Sequence, residues 1–409
     1  TLQLTVNISG SMLEAEERIL SELNQAGCAL TVETLSRFDT DGSPIMTGDI
    51  KWTVRARDPK NYQTPYGEVN VKRYVYQTSR GGKIYVPLNA AARMINRATP
   101  RFAKMLSNKY AQFNANGVVS DLAENHGRPI SKAAVQNVAN CVGAIAQVKE
   151  ESWEYSTPKL AHEVATVVCG LDGAMLQTVD TGWRESMAGT LSLYDSDGER
   201  QHTTYIGAAP EYGKQAFFER FERELAHIKK QYPEALYLGI ADGTENNWTF
   251  LNKHTTEQVL DFWHASEYLA KAAYAAHPHQ ADEAKRKHWL KDRLHSLKHE
   301  PGNAKVLLKE LKKLLRRQNL YETIRTDLED AIRYIGNHLP MMNYGKHTEK
   351  KQPIGSGVTE AACKTLIKQR FCASGMRWKG DGIKSVMSLR SLVLTKGRWD
   401  QFWEKIDKW

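Results

Sequence analysis

The sequence predicts a multidomain α/β protein. Its mixed sheet is interrupted by an all-helical insertion and preceded by a small β-sheet region and a helical region. Three observations predict this class. At 409 residues the chain is too long for one ordinary hydrophobic core. Between residues 160 and 265, runs typical of buried strands alternate with helical periodicity. A polar helical stretch then separates that region from a final α/β segment, which indicates an insertion.

The composition is typical of a soluble folded protein, with 41% hydrophobic and 25% charged residues. No apolar run approaches the roughly 20 residues that a membrane span needs. The first residues lack the basic and apolar stretches of a signal peptide, so none is expected. The five cysteines are scattered without a CxxC pair, which argues against a structural zinc site. Reduced thiols in a cytoplasm are therefore expected.

Positive charge is concentrated in two blocks. The net charge is +9, yet residues 285–317 hold twelve Lys or Arg against three acids, and residues 364–398 hold nine against one. The rest of the chain is acidic on balance. Such blocks predict a polyanionic partner, because a phosphate backbone releases counterions when lysine and arginine bind it. The alternative is an ordinary solvated helix face.

Two regions are predicted before residue 89. Residues 1–47 form an N-terminal helical segment, because apolar residues recur at helical spacing over 8–38. Residues 48–88 form a small antiparallel β region with the strands DIKWTVRA, EVNVKRYVYQT and KIYVPL and the turn SRGG. The basic, aromatic segment VKRYVY is either a nucleic-acid contact or a plain half-buried strand.

Residues 89–155 are predicted to form a helical, helix-turn-helix-like DNA-binding domain. A short helix is followed by a Gly-Arg-Pro-Ile break and a longer helix, for which Ser131 is the expected N-cap. The apolar face of the longer helix is expected to consist of Ala134, Val138, Cys141 and Ile145. The polar face is expected to present Lys132, Gln136 and Asn140 to the edges of bases in the major groove. Simple packing of a helical hairpin is the alternative.

The region 160–265 is predicted to be the first part of a catalytic sheet. Three consecutive strands (HEVATVVCGLDGAML, WRESMAGTLSLYD and RQHTTYIGAA) precede a helix, a buried strand EALYLGIADG and a short strand VLDFWHA. Residues 266–350 form the all-helical basic insertion, and residues 351–409 complete the sheet region and end in a basic tail. Acids at strand ends predict a site outside the strand termini.

Three acids are the strongest candidates for chemistry. Asp172 and Asp242 each end a predicted buried strand and precede a glycine, while Glu360 lies in the first turns of a helix behind glycines. Helix N-termini favour ionised carboxylates. Carboxylate oxygens bind hard divalent cations, and two metals flanking a phosphate catalyse in-line displacement. The alternatives are solvated surface acids and Asp-Gly turns.

The helix that carries Glu360 also carries basic residues. Lys364 is expected to share the face of Glu360, four residues away. Lys368 and Arg370 are expected to face a DNA backbone.

Several strings agree in order with those of one protein family. LDGAM…TGWRE, IADGTENNW, LDFWHASEYL and PIGSGVTEAACKTLIKQRF…SGMRW resemble bacterial insertion-sequence transposases of the DDE type, specifically the ISKra-type family. The resemblance covers most of residues 60–400 and is strongest over 165–270 and 353–378. It implies an RNase H-like catalytic domain with an all-helical insertion after the fifth strand. It also implies Mg²⁺-dependent cleavage and transfer of DNA strands at transposon ends.

The resemblance assigns roles to individual positions. Asp172, Asp242 and Glu360 match the three catalytic acids, and Asp261 and His264 match an acid-x-x-His element in related transposases. Arg377 and Trp378 match a recurrent string, for which stacking, phosphate contact or core packing are all open. The basic insertion is expected to contact DNA through Lys285, Arg286, Lys287 and Trp289, with Trp289 stacking on an unpaired base.

The implied reaction uses two Mg²⁺ ions, with Mn²⁺ as an alternative, held by the three acids. Water would attack the phosphodiester at the element's end, and the freed 3′-OH would then attack target DNA. The implied partners are double-stranded DNA at the transposon ends and the target, bound by a homodimer or larger assembly. The expected location is the bacterial cytoplasm, at the nucleoid when DNA is bound. A domesticated DNA-binding protein, an RNase H-like nuclease without strand transfer and an RNA-binding protein are the alternatives.

Overall fold

The computed structural model describes a mixed α/β protein that folds as two compact units. The described residues are 3–6, 8–150, 152–317 and 320–408. The first unit comprises Thr1–Trp153, Asp381–Val393 and Trp399–Trp409, and the second comprises Glu154–Gly380 and Leu394–Arg398. Among the described helices, none combines the length and the apolar character that a membrane crossing requires.

The first unit begins with a long helix and the predicted small antiparallel sheet. The helix is α1 (Met12–Ser36), which starts at a capping box between Ser11 and Glu14. The four-stranded sheet among the described residues consists of β1 (Ile45–Thr47), β2 (Ile50–Gln63), β3 (Glu68–Thr78) and β4 (Gly81–Tyr85), in sequence order and antiparallel throughout. Four helices follow: α2 (Pro87–Ala91), α3 (Pro100–Gln112), α4 (Ala115–His126) and α5 (Lys132–Lys149).

Helix α5 buries a different face from the predicted one. Its N-cap is Ser131, as predicted, and the Ser131 hydroxyl accepts a hydrogen bond from the N–H of Ala134. The buried side chains are Val135, Val138, Ala139, Val142 and Ala146. Cys141 is exposed, and Ala134 and Ile145 are half-buried, so the predicted apolar face was wrong by about one residue. Small apolar residues occur on nearly every side of this helix, and the spacing therefore did not determine which side is buried.

The second unit is built on a five-stranded mixed sheet of the order β7-β6-β5-β8-β9 among the described residues. Its elements are β5 (Thr166–Thr178), β6 (Gly182–Tyr194), β7 (Arg200–Ala208), α6 (Gln215–Gln231), β8 (Leu236–Ala241), α7 (Glu245–His254) and β9 (Glu257–Leu260). Strands β5, β6 and β7 are antiparallel neighbours, whereas β5, β8 and β9 are parallel. The prediction of a mixed sheet with many helices is confirmed.

Helices fill the interval after β9. They are α8 (Phe262–Ala276), α9 (Glu283–His299), α10 (Asn303–Leu315), α11 (Glu322–His338) and α12 (Tyr344–Glu349). The predicted strand VLDFWHA was wrong in its second half, because Asp261 caps α8 and the chain is helical from Phe262. A further helical stretch follows as α13 (Gly357–Ala362), a π-helical turn (Cys363–Lys368) and α14 (Gln369–Phe371).

The last two helices, α15 (Gly380–Leu394) and α16 (Arg398–Lys408), lie largely in the first unit. Residues 351–409, which were predicted to complete the sheet region and end in a basic tail, are therefore divided between the two units. The reason lies in packing: the Arg390 guanidinium donates to the carbonyl of Ala111 on α3, and Ser385 lies against Gly143 on α5. A Cβ at Gly143 would lie 2.7 Å from the Cβ of Ser385.

Glycine positions distinguish tight packing from open space in the second unit. Gly189 on β6 lies beneath α6, and a Cβ there would lie 2.5 Å from the ring of Phe221. Gly336 on α11 has no atom within 4 Å of the position of a Cβ. An added methyl group therefore meets opposite conditions at these two sites.

We expect Gly189→Ala to lower the free energy of unfolding by about 1–3 kcal/mol, because overpacking forces the aromatic rings apart. Gly336→Ala should raise it by up to about 1 kcal/mol, because alanine loses less backbone entropy in a helix. Urea unfolding followed by circular dichroism measures both midpoints. Equal midpoints for the two variants would contradict this packing.

Candidate active site

Asp172 lies inside β5 rather than at its end, which corrects the sequence prediction. It pairs with Ala188 on β6, and β5 continues to Thr178. The parallel pairing of β5 with β8 stops earlier, at Gly170 and Ile240. Asp172 therefore lies two residues beyond the last residue of β5 that pairs with β8. Because Asp242 directly follows β8, both acids lie at the carboxyl end of the same parallel pair.

The negative charges of Asp242 and Glu360 act on the carboxyl group of Asp172. Burial raises the pKa of Asp172, and the negative charges of Asp242 and Glu360 raise it further. Two hydrogen bonds oppose this rise: one from the thiol of Cys363 and one, 2.7 Å long, from the N–H of Gly173 to Oδ1. Like charges in a partly buried site favour a bound cation, which would lower their mutual repulsion.

Helix α13 carries Glu360 directly over the sheet. A Cβ at Gly170 of β5 would lie 1.9 Å from Oγ1 of Thr359, so only glycine permits this approach. The hydroxyls of Thr190 on β6 and Thr359 are hydrogen-bonded at 2.8 Å and buried. The residue before Glu360 is thus fixed against two strands. Glu360 itself is exposed at the start of the helix.

The helix then widens into the π-helical turn Cys363–Lys368, a geometry that is frequent at functional sites. Cys363 is buried and directed at Asp172, whereas Lys364 and Lys368 are exposed. Burial and the charge of Asp172 raise the pKa of the Cys363 thiol. This cysteine therefore remains a neutral hydrogen-bond donor.

A cavity of about 710 Å³ opens over this region. Its wall includes the acids Asp172, Glu267 and Glu360 and the bases Lys364 and Lys368. The rest of the wall consists of Gly173, Trp263, His264, Cys363 and Gln369. The expectation that Lys364 shares the face of Glu360 agrees with this lining, while Asp242 lies outside it.

Asp261 is fully buried and holds two parts of the chain together. Its Oδ1 accepts hydrogen bonds from the N–H groups of Trp263, at 2.6 Å, and His264, at 3.0 Å. Its Oδ2 accepts from both the N–H and the hydroxyl of Ser356. Four donors therefore saturate the carboxylate, which suits a positioning residue better than a metal ligand.

Ser356 connects Asp261 to Glu360. The Ser356 hydroxyl lies within hydrogen-bonding distance of Asp261 and, at 2.9 Å, of Oε1 of Glu360. A hydroxyl has one proton, so it donates to one carboxylate at a time. Glu360 can therefore leave this contact while Asp261 keeps its other donors.

The structure brings a different set of possible ligands together from the predicted three acids. Single ligand atoms of Asp261, His264 and Glu360 all lie within 4.8 Å of one another. Nδ1 of His264 lies 3.6 Å from Oδ1 of Asp261 and has no hydrogen-bond partner among the described residues. Since the oxygens of Asp261 are saturated, Glu360 and His264 are the members of this set with free ligand atoms.

The oxygen donors fit Mg²⁺ in their chemistry. Asp172, Asp242 and Glu360 offer carboxylates, which Mg²⁺ and Mn²⁺ prefer to sulfur. Asp242 is held in place by the N–H and hydroxyl of Thr244, at 3.2 Å and 3.0 Å from its Oδ1. Tyr334 on α11 donates to the carbonyl of Asp242 at 2.7 Å, so the insertion supports this acid.

The supporting residues Ser356, Cys363 and Tyr334 were not among those predicted from the sequence. The glycines around Ser356 indicated a tight approach, and Cys363 lies one turn after Glu360. No pattern indicated Tyr334, which lies 92 residues from its partner.

Two of the predicted DNA contacts in the insertion are structural residues. Trp289 is buried and its Nε1 donates to Glu310 at 3.0 Å, so the predicted base stacking was wrong. Arg286 is half-buried and donates to the carbonyls of His277 and His279, which caps the turn before α9. Lys285 and Lys287 are exposed but paired with neighbouring acids.

The predicted DNA contacts between residues 370 and 378 also divide into residues that pack within the protein and residues that are exposed. Arg370 is 2% exposed and lies over the ring of Trp378, so it does not reach a DNA backbone as predicted. Trp378 is half-buried, packs on Phe371 and accepts a backbone hydrogen bond from Val179. Arg377 is exposed. On α5, Lys132 and Asn140 are exposed and Gln136 is half-buried, so the polar face remains available as a prediction.

Comparisons with known proteins add no family assignment. No family model matches the chain, and no curated protein is significantly similar to it. The chemistry of the site is therefore inferred from its own side chains.

Asp172 is expected to lower the folding stability of the metal-free protein at neutral pH. Because its pKa is raised in the folded state, the folded protein binds this proton more tightly than the unfolded chain does. Stability therefore falls as the pH rises above the ordinary carboxyl pKa of about 4 and passes through the raised value. In EDTA, Asp172→Asn should raise the thermal midpoint at about pH 7 and leave it unchanged near pH 3. Circular dichroism melts across this range measure both.

Asp197→Asn is the matched control, since Asp197 is exposed and its hydrogen bond with Lys351 lowers its pKa. That substitution should leave the midpoint unchanged or slightly lower at neutral pH. An Asp172→Asn midpoint no higher than that of the parent would contradict the raised pKa.

Asp261→Ala should destabilise the metal-free protein by at least about 2 kcal/mol, because an N-cap is lost and the donors of Ser356 are left unsatisfied. Glu267→Ala, which removes an exposed acid from the cavity wall, should stay within about 0.5 kcal/mol of the parent. Denaturant titration in EDTA compares the two. If Asp261 served only as a metal ligand, neither substitution would destabilise the protein under these conditions.

Proposed function

We propose that this chain is a DDE-type transposase that binds the ends of a mobile DNA element and catalyses metal-dependent strand cleavage and strand transfer. The observation that carries the proposal is the arrangement of the three acids. Asp172 and Asp242 lie at the carboxyl end of neighbouring parallel strands, and the charges of Asp242 and Glu360 both act on Asp172.

The architecture of the second unit supports an RNase H-like assignment. Three antiparallel strands are followed by two parallel ones, and β5, with the first acid, lies in the middle of the sheet. An all-helical segment follows β9, the fifth strand of this sheet, and the helix with the third acid comes after that segment. These are the features that the resemblance to ISKra-type transposases implies.

The residues around the acids have roles that follow from their contacts. When bound, Mg²⁺ or Mn²⁺ at these carboxylates would lower the pKa of a water molecule and stabilise the attacking and leaving oxygens. Asp172 would hold the cation as a carboxylate, and cation binding would therefore oppose the rise of its pKa. Cys363 donates to Asp172 and Tyr334 holds the backbone of Asp242.

The cavity wall also suits a phosphodiester. Lys364 and Lys368 are exposed beside Glu360 and attract phosphate oxygens. No protein nucleophile is required, because the attacking group is water in cleavage and a DNA 3′-OH in transfer. The raised pKa of Cys363 agrees with this, since a thiol is a poor nucleophile.

The proposed partners are duplex DNA at the element's ends and at the target. Transposition joins two ends, so we propose a homodimer or larger assembly on DNA in a bacterial cytoplasm. The exposed polar side of α5 is proposed to read base edges, through Lys132 and Asn140 with Gln136 beside them.

The experiment uses the full chain and linear DNA carrying the sequences that flank its coding region. With Mg²⁺, we expect cut ends and joined products, both lost in EDTA. Asp242→Asn and Glu360→Gln should each lower the cleavage rate by about 10³-fold or more and leave DNA binding intact. Asp330→Asn, an acid of α11 paired with Arg333, is the matched control and should cleave normally.

Each outcome separates one class from the others. Joined products support a transposase, cuts without joining indicate a nuclease, and a mobility shift without cuts indicates a domesticated DNA-binding protein. Full cleavage by Asp242→Asn would refute the assignment of the site.

A further inference from the structure

Helix α10 presents a row of basic side chains for which the candidate active site has no use. Five exposed residues form this row: Lys305, Lys309, Lys312, Lys313 and Arg316, the last directly after the helix. Successive residues of an α-helix are about 100° apart, so this spacing keeps all five within an arc of about 100°. They share one side of the helix.

The opposite side of α10 is fixed in the core of the insertion. Ala304, Leu307, Leu311 and Leu314 are buried there. The acid of this helix, Glu310, is turned toward α9, where it accepts hydrogen bonds from Arg293 at 2.7 Å and from Trp289. Packing therefore directs the basic row, which we call the α10 row, toward solvent.

The charges of the α10 row are not neutralised by the protein. None of the five side chains forms an ion pair with any residue that the structure describes. On α9, by contrast, Lys285 lies 2.9 Å from Asp282 and Lys287 lies 2.7 Å from Glu283. Arg317 is also occupied, since it donates to the carbonyls of Ala275 and Ala276 at the end of α8.

We propose that the α10 row binds the phosphate backbone of duplex DNA without reading its sequence. This inference rests on the proposed function and specifies which surface of the insertion contacts DNA. The row spans twelve residues, from Lys305 to Arg316, or about 16 Å, a length of duplex that carries roughly ten phosphates. Contacts from lysine and arginine to phosphate oxygens fix a protein on the duplex and carry no sequence information.

A membrane surface is a poorer match for this helix. Membrane-binding amphipathic helices insert an apolar face next to their basic face. The apolar face of α10 is buried in the protein, and Val306 is the large apolar residue left exposed beside the row. Binding to the phosphates of duplex DNA requires only the positive charges of the α10 row.

The test compares two double substitutions of equal charge. Lys309→Gln with Lys312→Gln removes two charges from the row, and Lys285→Gln with Lys287→Gln removes two paired charges from α9 as the matched control. All four side chains are exposed, so both variants are expected to keep the thermal midpoint of the parent. Fluorescence anisotropy with a duplex of about three helical turns, titrated across KCl concentrations, gives the affinity and its salt dependence.

Counterion release predicts that the α10 double variant lowers the slope of log K against log[salt] by about 1.8, or 0.9 for each lost contact. The Kd should rise roughly tenfold or more at about 0.1 M salt, equally for unrelated duplex sequences. The α9 control should change the slope by much less.

An unchanged slope in the α10 variant, with the parent still binding duplex, would overturn the inference and leave the proposed function standing. No duplex binding by the parent would overturn both. Tighter binding of the parent to a single-stranded RNA of equal length, lost in the α10 variant, would assign the row to RNA and overturn the DNA inference.

Discussion

The buried carboxylate of Asp261 is the constraint on which the candidate site depends. A carboxylate without solvent is costly unless donors satisfy both its oxygens, and here Trp263, His264 and Ser356 do so. The donors come from two segments 95 residues apart, one at the start of α8 and one just before α13. The whole helical insertion is therefore a loop whose ends are joined at one side chain. Glu360 owes its position over the sheet to this junction and to the glycine beneath Thr359.

The carboxyl ends of the parallel strands could be predicted from the sequence only where a local pattern determines them. The buried run before Asp242 ends at that residue because β8 ends there. Asp172 was misplaced within its strand because β5 has two neighbours of different length: β8 leaves it at Gly170, while β6 accompanies it to Thr178. Hydrophobic periodicity reports that a residue is in a strand. It does not show which neighbouring strand is still paired at that residue.

Contacts between distant residues account for most of what the sequence did not predict. Tyr334 contacts Asp242 from 92 residues away and Ser356 contacts Asp261 from 95 residues away, and no local pattern in the sequence predicts either pairing. Trp289 lies in a basic segment that suggested nucleic acid, yet burial against Glu310 determines its role. Charge counts identify residues 285–317 as a basic block. Only the pairing of individual charges separated Lys285 and Lys287 of α9 from the α10 row, which forms no ion pair within the described part of the chain.

The first unit is assembled from the two ends of the chain, and this fixes its order of folding. Helices α3 and α5 receive Arg390 and Ser385 from residues that follow the whole second unit. During synthesis at about 5–20 residues per second, the apolar surface of the early helices stays exposed for roughly 10–50 s, until Ser385 and Arg390 have been synthesised. The five-stranded sheet of the second unit is thus synthesised in full before the last residues of the first unit, and an interrupted ribosome yields a fragment whose first unit has an unfinished core.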